Sequence, residues 1–213
     1  MTIANRAAFI RANTRLIAPP HCPELRLHLA DDAVALWELT EEELGELGLP
    51  PPFWAFAWAG GQALARYVLD HPETVRGKSV LDVASGCGLV AIAAMKAGAA
   101  RALAIDLDQF AADAAILNAE ANDVIIEARA EDALARAPGE EVILVGDLFY
   151  DRDISPALLT WLRASGRDVL IGDPGRTYLP KDDLIKVAEY QVPVSRALED
   201  AEVKRTGVWR LKP

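Results

Sequence analysis

The sequence predicts an α/β fold in which helices cover both faces of a mostly parallel sheet. From residue 80 onward, short apolar runs alternate with helix-forming segments, a pattern typical of parallel strands joined by crossover helices. A Gly-x-Gly turn follows the first run, and the last two runs follow one another with only a charged connection between them. We therefore expect a doubly wound, seven-stranded sheet that a hairpin with one antiparallel strand closes.

Length and charge limit the domain organisation and the partners. At 213 residues the chain has the length of one domain with a modest addition, which we place as a small α+β cap at 1–50 before a main domain at 51–213. The net charge of −10 disfavours a nucleic-acid partner. No apolar run reaches the roughly 18 residues of a membrane span. Two cysteines and three histidines lie scattered, which predicts neither a disulfide nor a metal site.

The N-terminal cap has its own pattern. Apolar residues recur between arginines over 3–16, which predicts an amphipathic helix capped by Thr2. Strict alternation over 25–29 predicts a strand, and 34–39 offers a second strand for a hairpin. Thr40 begins a capping box that opens a short helix.

The elements of the main domain follow from apolar periodicity and from breaker residues. In chain order they are a helix at 62–70, strand 80–84, a helix to about 97, strand 102–105, helix 109–122, strand 124–127, strand 142–145, helix 154–164, strand 168–171, helix 180–188, and strands 190–194 and 203–211.

A glycine loop lies between the first strand and its helix. Gly86 and Gly88 allow a backbone to approach a ligand closely, and the free N–H groups of the next helix favour an anionic or polar group. Asp82 ends the strand and can accept from an amino group. The Gly-x-Gly-x-x-Ala spacing leaves a nicotinamide dehydrogenase open, although no acid/base dyad follows the sheet.

Acidic residues recur where successive strands end, so they should meet at one sheet edge. Asp106 is placed to accept from two ribose hydroxyls, whereas Asp108 better suits a helix N-cap. Asp132 suits either an adenine amino group or the cap of a short helix. Asp147 and Tyr150, in the loop after the fourth strand, can present a carboxylate and a phenol to a substrate amine.

An aromatic segment and an arginine complete the candidate site. Four aromatic residues lie within 53–58, and they can form a wall over a flat or cationic ligand or a staple between cap and core. Arg176, in a turn-rich loop, can contact substrate, pair with an acidic residue of a partner, or hold its own loop.

These motifs resemble a known family. The D-x-x-x-G-x-G run at 82–88 resembles motif I of the seven-β-strand S-adenosylmethionine-dependent methyltransferases. The stretch PFWAFAWAGGQALA at 52–65, DLFY at 147–150 and GDPGR at 172–176 together resemble the electron transfer flavoprotein β-subunit lysine methyltransferases. Ala59 departs from that pattern, in which proline is more frequent.

The resemblance implies a Rossmann-like class I methyltransferase fold, S-adenosylmethionine as cofactor and lysines of the electron transfer flavoprotein β subunit as methyl acceptors. Expected cofactor-binding residues are Trp58, Asp82, Ala84, Gly86, Gly88, Asp106, Leu107, Asp132 and Asp147. Expected catalytic residues are Asp147 and Tyr150, and expected substrate-binding residues are Phe149, Tyr150 and Arg176. No metal is needed.

Other readings remain open at this point. The acceptor could instead be another protein lysine, such as one of a ribosomal protein, or a small amine, and a non-enzymatic adaptor is a further alternative. We expect a monomer in the bacterial cytoplasm, with the mitochondrial matrix as the alternative because the first 23 residues carry arginines and no acidic residue.

Overall fold

The computed structural model describes residues 5–30, 51–194 and 202–212. The strands are β1 Arg15–Ile17, β2 Leu27–Leu29, β3 Ser79–Val83, β4 Arg101–Asp106, β5 Glu127–Ala130, β6 Val142–Gly146, β7 Asp168–Asp173, β8 Leu184–Pro193 and β9 Val203–Leu211. The helices are α1 Arg6–Asn13, α2 Ala59–Asp70, α3 Leu89–Lys96, α4 Gln109–Ala121 and α5 Ile154–Ser165.

The main sheet confirms the predicted architecture. Its seven strands lie in the order β5-β4-β3-β6-β7-β9-β8; β3 to β7 pair in parallel and β9 runs antiparallel to both of its neighbours. Because β3 pairs with β4 on one side and with β6 on the other, the strand order reverses at β3. Ligands of doubly wound sheets bind outside the carboxyl ends of the strands at such a point.

Alternate residues of the central strands fill two separate cores. Val80 and Leu144 belong to a buried cluster with α2 and α3 on one face of the sheet. Leu81 and Ile143 belong to a second cluster on the other face, together with Leu158 of α5. The central strands are therefore buried on both faces, which explains why they read as continuous apolar runs.

The N-terminal residues differ in part from the prediction. The helix is shorter than expected, since Asn5 caps α1 by accepting from the Ala8 N–H at 3.0 Å and the helix ends at Asn13. Leu16 lies instead in β1, which pairs antiparallel with β2. The expected second strand at 34–39, the capping box and Thr2 lie outside the described residues, and the division at residue 50 stays a prediction.

Two further elements correct the sequence prediction. The strand expected at 124–127 begins only at Glu127, because Val124 still donates to the carbonyl of Ala119 at the end of α4, at 3.1 Å. The helix expected at 180–188 is wrong: a single 3₁₀ turn at Lys181–Asp183 leads directly into β8. Pairing of β8 with β9 from Leu184 to Pro193, with one register shift after Lys186, overrides the local helical pattern.

The N-terminus of α2 lies unusually close to the ends of β6 and β7. A Cβ atom added to Gly60 would lie 2.2 Å from the carbonyl oxygen of Gly172, and one added to Gly146 would lie 3.1 Å from the Cα of Gly61. The helix begins at Ala59, three residues before the predicted start. Glycine at these positions lets backbone pack directly on backbone at the carboxyl edge of the sheet.

Gly60→Ala is expected to lower the free energy of unfolding by about 1–3 kcal/mol, because the added methyl overlaps a backbone carbonyl that cannot turn away. Gly61→Ala is the matched control, since a Cβ at Gly61 meets nothing within 4 Å and alanine favours a helix by about 0.5–1 kcal/mol. Urea unfolding of both variants measures the difference. Equal stabilities would contradict the close approach.

Candidate functional site

The glycine loop joins β3 to α3 at the carboxyl edge of the sheet. Gly88 has φ +75° and precedes α3, and a Cβ there would lie 2.8 Å from that of Ala115 on α4. Gly86 has φ +51°, but a Cβ there would come no closer than 3.9 Å to any atom of the aromatic segment facing it. Gly88 is therefore required for packing, whereas a Cβ at Gly86 would meet the aromatic segment only at ordinary van der Waals distance. Ala84 also has a positive φ of 53°, a costly conformation for alanine.

Asp82 lies beneath this loop. It is 1 % exposed and accepts from the Ala91 N–H in the first turn of α3 at 2.9 Å. Burial, followed by the negative charge of Asp106, raises the pKa of Asp82 to about 7. The carboxylate thus ties β3 to the helix start, and a cationic group bound nearby would favour its ionised form.

Asp106 connects the end of β4 to the glycine loop. One carboxylate oxygen accepts from the Gly86 N–H at 2.9 Å and the other from the Asp108 N–H at 3.1 Å. A carboxylate has about four acceptor positions, so about half remain for ligand hydroxyls. Burial raises the pKa of Asp106 against these backbone donors. Leu107, beside it, is 74 % exposed and offers an apolar surface at the same edge.

Two other acids act as caps. Asp108 accepts from the Phe110 N–H at 2.9 Å at the start of α4, which confirms the N-cap interpretation of that residue. Asp132 accepts from the Leu134 N–H at 2.9 Å and caps the 3₁₀ turn at Ala133–Ala135. The cap is therefore the observed role of Asp132, while contact with an adenine stays a prediction.

Asp147 occupies a different place from the one expected of a carboxylate open to substrate. One oxygen accepts from the N–H groups of Gly60, by a very short hydrogen bond, and of Gly61 at 3.1 Å. The other accepts from Nε of Arg176 at 3.1 Å and from its Nη2 at 2.8 Å. These four hydrogen bonds occupy the roughly four acceptor positions that a carboxylate has. Burial raises the pKa of Asp147 to about 6, with the Arg176 charge opposing that rise.

The structure thus corrects the expectation that Asp147 orients the acceptor amine directly. The residue has φ +55° and is 7 % exposed, and its side chain points at the N-terminus of α2. It is the N-terminal cap of a helix more than eighty residues earlier in the chain.

Tyr150 and Phe53 face one another at the edge of the site. Their ring centroids lie 6.3 Å apart, and their side chains are 49 % and 40 % exposed. Trp58 extends this wall: its ring lies 5.9 Å from that of Phe53, and its Nε1 donates to the Phe53 carbonyl at 3.1 Å. Burial and nearby carboxylates raise the pKa of the Tyr150 phenol, which therefore stays protonated at neutral pH.

The side chains of Trp54 and Phe56 point into the protein interior, away from the exposed edge of the site. Both are buried in a cluster with Phe110 of α4 and Ile10 of α1, and the Trp54 ring stacks on that of Phe110 at 5.8 Å. The buried half of the aromatic segment therefore serves as a staple between α1 and α4, while a wall over a ligand stays a prediction for its exposed half.

Phe149 is the clearest correction among the expected substrate-binding residues. Its side chain is 0 % exposed and packs in the same buried cluster as Leu158 and Leu162 of α5. Because α5 covers this side of the loop, Phe149 presents no surface to a substrate.

Arg176 pairs within its own chain, and a residue that the sequence analysis passed over positions it. One carboxylate oxygen of Asp173, at the end of β7, accepts from the N–H groups of Gly175 at 2.6 Å and Arg176 at 2.7 Å. The other oxygen is buried without a hydrogen-bond partner. An Asp-Pro-Gly sequence is a known turn signal, and it could have identified this role of Asp173.

Neither the side-chain cluster of a metal site nor a membrane-spanning helix occurs in the ranges that the structure describes. No cluster of three or more histidine, cysteine, aspartate or glutamate side chains is arranged to hold a metal ion there. No helix in those ranges has both the length and the apolar character to span a membrane.

Comparisons with known proteins identify relatives. Residues 62–144 match the family model described as "Ribosomal protein L11 methyltransferase (PrmA)". The chain is 38% identical to the electron transfer flavoprotein beta subunit lysine methyltransferase of Xenopus laevis, over 97% of this chain and 87% of the relative. It is 37% identical to the Homo sapiens protein of the same name, over 97% of this chain and 82% of the relative.

A solved structure supports the fold independently. The ribosomal protein L11 methylase from Lactobacillus delbrueckii subsp. bulgaricus superposes with a TM-score of 0.52 at 20% identity, over 74% of this chain and 81% of that one. This likeness confirms the expected class of sheet.

Proposed function

Because the chain belongs to the family of electron transfer flavoprotein beta subunit lysine methyltransferases, we propose that it transfers a methyl group from S-adenosylmethionine to one or more lysines of that flavoprotein subunit. The observation that carries the proposal is the placement of two features at one sheet edge. One is a glycine loop held by Asp106, and the other is the half-exposed pair of Phe53 and Tyr150.

The residues fit S-adenosylmethionine. The glycine loop at Gly86, the spare acceptor positions of Asp106 and the exposed Leu107 suit its methionine, ribose and adenine parts respectively. When bound, this group supplies an electrophilic methyl on a sulfonium sulfur. Asp82, Ala84 and Gly88 shape the loop from below.

Two further residues border the proposed cofactor site. We assign Trp58 to the methionine end and Asp132 to the adenine end of that site. Asp132 can cap its turn and still accept from an amino group, because a carboxylate has acceptor positions to spare.

The acceptor lysine must lose its proton before it can attack. With a pKa of about 10.4, about 0.04% of lysine side chains are neutral at pH 7. Phe53 and Tyr150 together offer a half-exposed aromatic surface to an entering lysine, and desolvation against it lowers the pKa of that lysine. The proton leaves to solvent, and the chain contributes mainly by positioning the amine for in-line attack. Asp147 contributes by holding α2.

Tyr150→Phe is expected to lower kcat about 2- to 10-fold, because the lost phenol hydrogen bond to the amine is worth about 0.5–1.5 kcal/mol. The affinity for S-adenosylhomocysteine should stay unchanged, since the ring remains in place. Steady-state kinetics and calorimetric titration measure both. Tyr178→Phe, at another exposed tyrosine (40 % exposed), is the control, and equal kcat values for Tyr150→Phe and wild type would remove the phenol from the reaction.

The proposed activity is tested by transfer of a labelled methyl group from S-adenosylmethionine to purified electron transfer flavoprotein, with the modified residue located by mass spectrometry. Label on a β-subunit lysine is the expected result. Label only on another protein, such as a ribosomal protein, or on a small amine would keep methyl transfer and reject this acceptor. No label on any acceptor, together with no binding of S-adenosylhomocysteine, would reject the function.

The proposal also includes the oligomeric state, the partners and the cellular compartment. We expect a monomer that binds no nucleic acid, and the net charge of −10 supports the second point. The bacterial cytoplasm stays a prediction from the sequence.

A further inference from the structure

We propose that Arg176 is a positioning residue: by holding Asp147 on the N-terminus of α2, it sets the position of Phe53 relative to Tyr150 in the acceptor slot, the half-exposed aromatic edge that these two residues form. The inference rests on the proposed function for the identity of the slot. Its first support is the hydrogen-bond pattern of Asp147. One carboxylate oxygen accepts from the N–H groups of Gly60 and Gly61, and the other accepts from the guanidinium of Arg176.

Asp147 connects Tyr150 with Phe53 in two ways, along the main chain and through its side chain. Along the main chain, Tyr150 follows Asp147 by three residues. Through the carboxylate, Asp147 holds α2, and Trp58 directly precedes the first residue of that helix. Trp58 in turn holds Phe53, by ring contact and by its hydrogen bond to the Phe53 carbonyl. The rotamer of one carboxylate therefore controls where Phe53 lies relative to Tyr150.

Arg176 fixes that rotamer from a rigid support. Two N–H groups, from Nε and Nη2, converge on a single Asp147 oxygen, and Asp173 holds the Arg176 main chain at 2.7 Å. The Arg176 and Asp147 side chains are 23% and 9% exposed, so solvent screens the pair only weakly. A lysine would supply the charge on a flexible stem without the planar fork. If Arg176 only neutralised Asp147, lysine would replace it without loss.

Arg176→Lys is the discriminating variant. We expect kcat/KM for the flavoprotein to fall at least about 10-fold, the equivalent of one charge-assisted hydrogen bond, through both a higher KM and a lower kcat. The affinity for S-adenosylhomocysteine should stay within about twofold of wild type, since Asp147, the acceptor of Arg176 Nε and Nη2, caps α2 and not the helix that follows the glycine loop. Arg129→Lys is the matched control, because Arg129 pairs with Glu127 on the exposed edge strand β5.

Hydrogen–deuterium exchange provides a readout that needs no acceptor. In Arg176→Met we expect amide exchange in a peptide covering residues 53–62 to rise at least about 10-fold, while peptides from β3 and β6 keep their wild-type rates. Unchanged exchange and kinetics in both Arg176 variants would overturn the proposal, as would a rise spread equally over the whole chain. Should wild type fail to methylate the flavoprotein, the proposed acceptor is rejected, and exchange alone decides the role of Arg176.

Discussion

Asp147→Ala is expected to lower the free energy of unfolding by about 3–5 kcal/mol, the usual cost of removing one partner of a buried ion pair. The substitution removes the carboxylate that accepts from Nε and Nη2 of Arg176 and from two N–H groups at the start of α2. Buried donors without a partner are costly. Urea unfolding monitored by circular dichroism at pH 7.5 measures the loss.

The control for this prediction is Asp132→Ala. Asp132 also caps a helical turn after a strand, but it accepts one backbone N–H at an exposed position, so we expect a loss of about 1 kcal/mol. A loss at Asp147 no greater than that at Asp132 would show that the buried network adds nothing to stability.

Asp106→Ala is expected to weaken binding of S-adenosylhomocysteine about 100-fold, because two hydrogen bonds to a charged acceptor, at about 1.5 kcal/mol each, disappear. The same change frees the Gly86 N–H that Asp106 holds at 2.9 Å, so the loop also loses its preorganised shape. Isothermal titration calorimetry gives the dissociation constant directly.

The neighbouring Asp108→Ala separates the two functions of this short acidic run. It removes the N-cap of α4 and should cost about 1 kcal/mol of stability, with the ligand dissociation constant within about threefold of wild type. Comparable losses of affinity in both variants would assign the effect to α4 rather than to a contact of Asp106.

The sequence was informative where one local pattern determined the structure. The central strands β3 and β6 were visible as apolar runs because both of their faces are buried. The carboxyl edge could be located because an acid lies within one residue of the carboxyl end of β3, β4 and β6 in turn. β9 was predicted with its observed ends, Val203–Leu211.

The predictions were wrong where contacts with residues far along the chain determine the structure. Phe149 lies between two site residues, yet docking of α5 buries it. Asp147 reads as a carboxylate at a strand end, and no local signal indicates that Gly60 will lie against it. The helix expected at 180–188 is wrong because β9, further along the chain, offers a long hydrogen-bond ladder with one register shift between Lys186 and Ala188. Periodicity reports the preference of a segment alone and contains no information about such partners.

The bond between Gly60 and Asp147 spans 87 residues, and this separation has a consequence for the order of folding. Contacts between residues far apart in sequence form late, because closing the intervening loop costs entropy before the contact is gained. As the chain emerges from the ribosome, α2 is synthesised long before β6 exists, so its first turn must wait for its acceptor. The aromatic slot is consequently assembled only after the central strands have joined, and a nascent chain that ends before residue 147 has no acceptor slot.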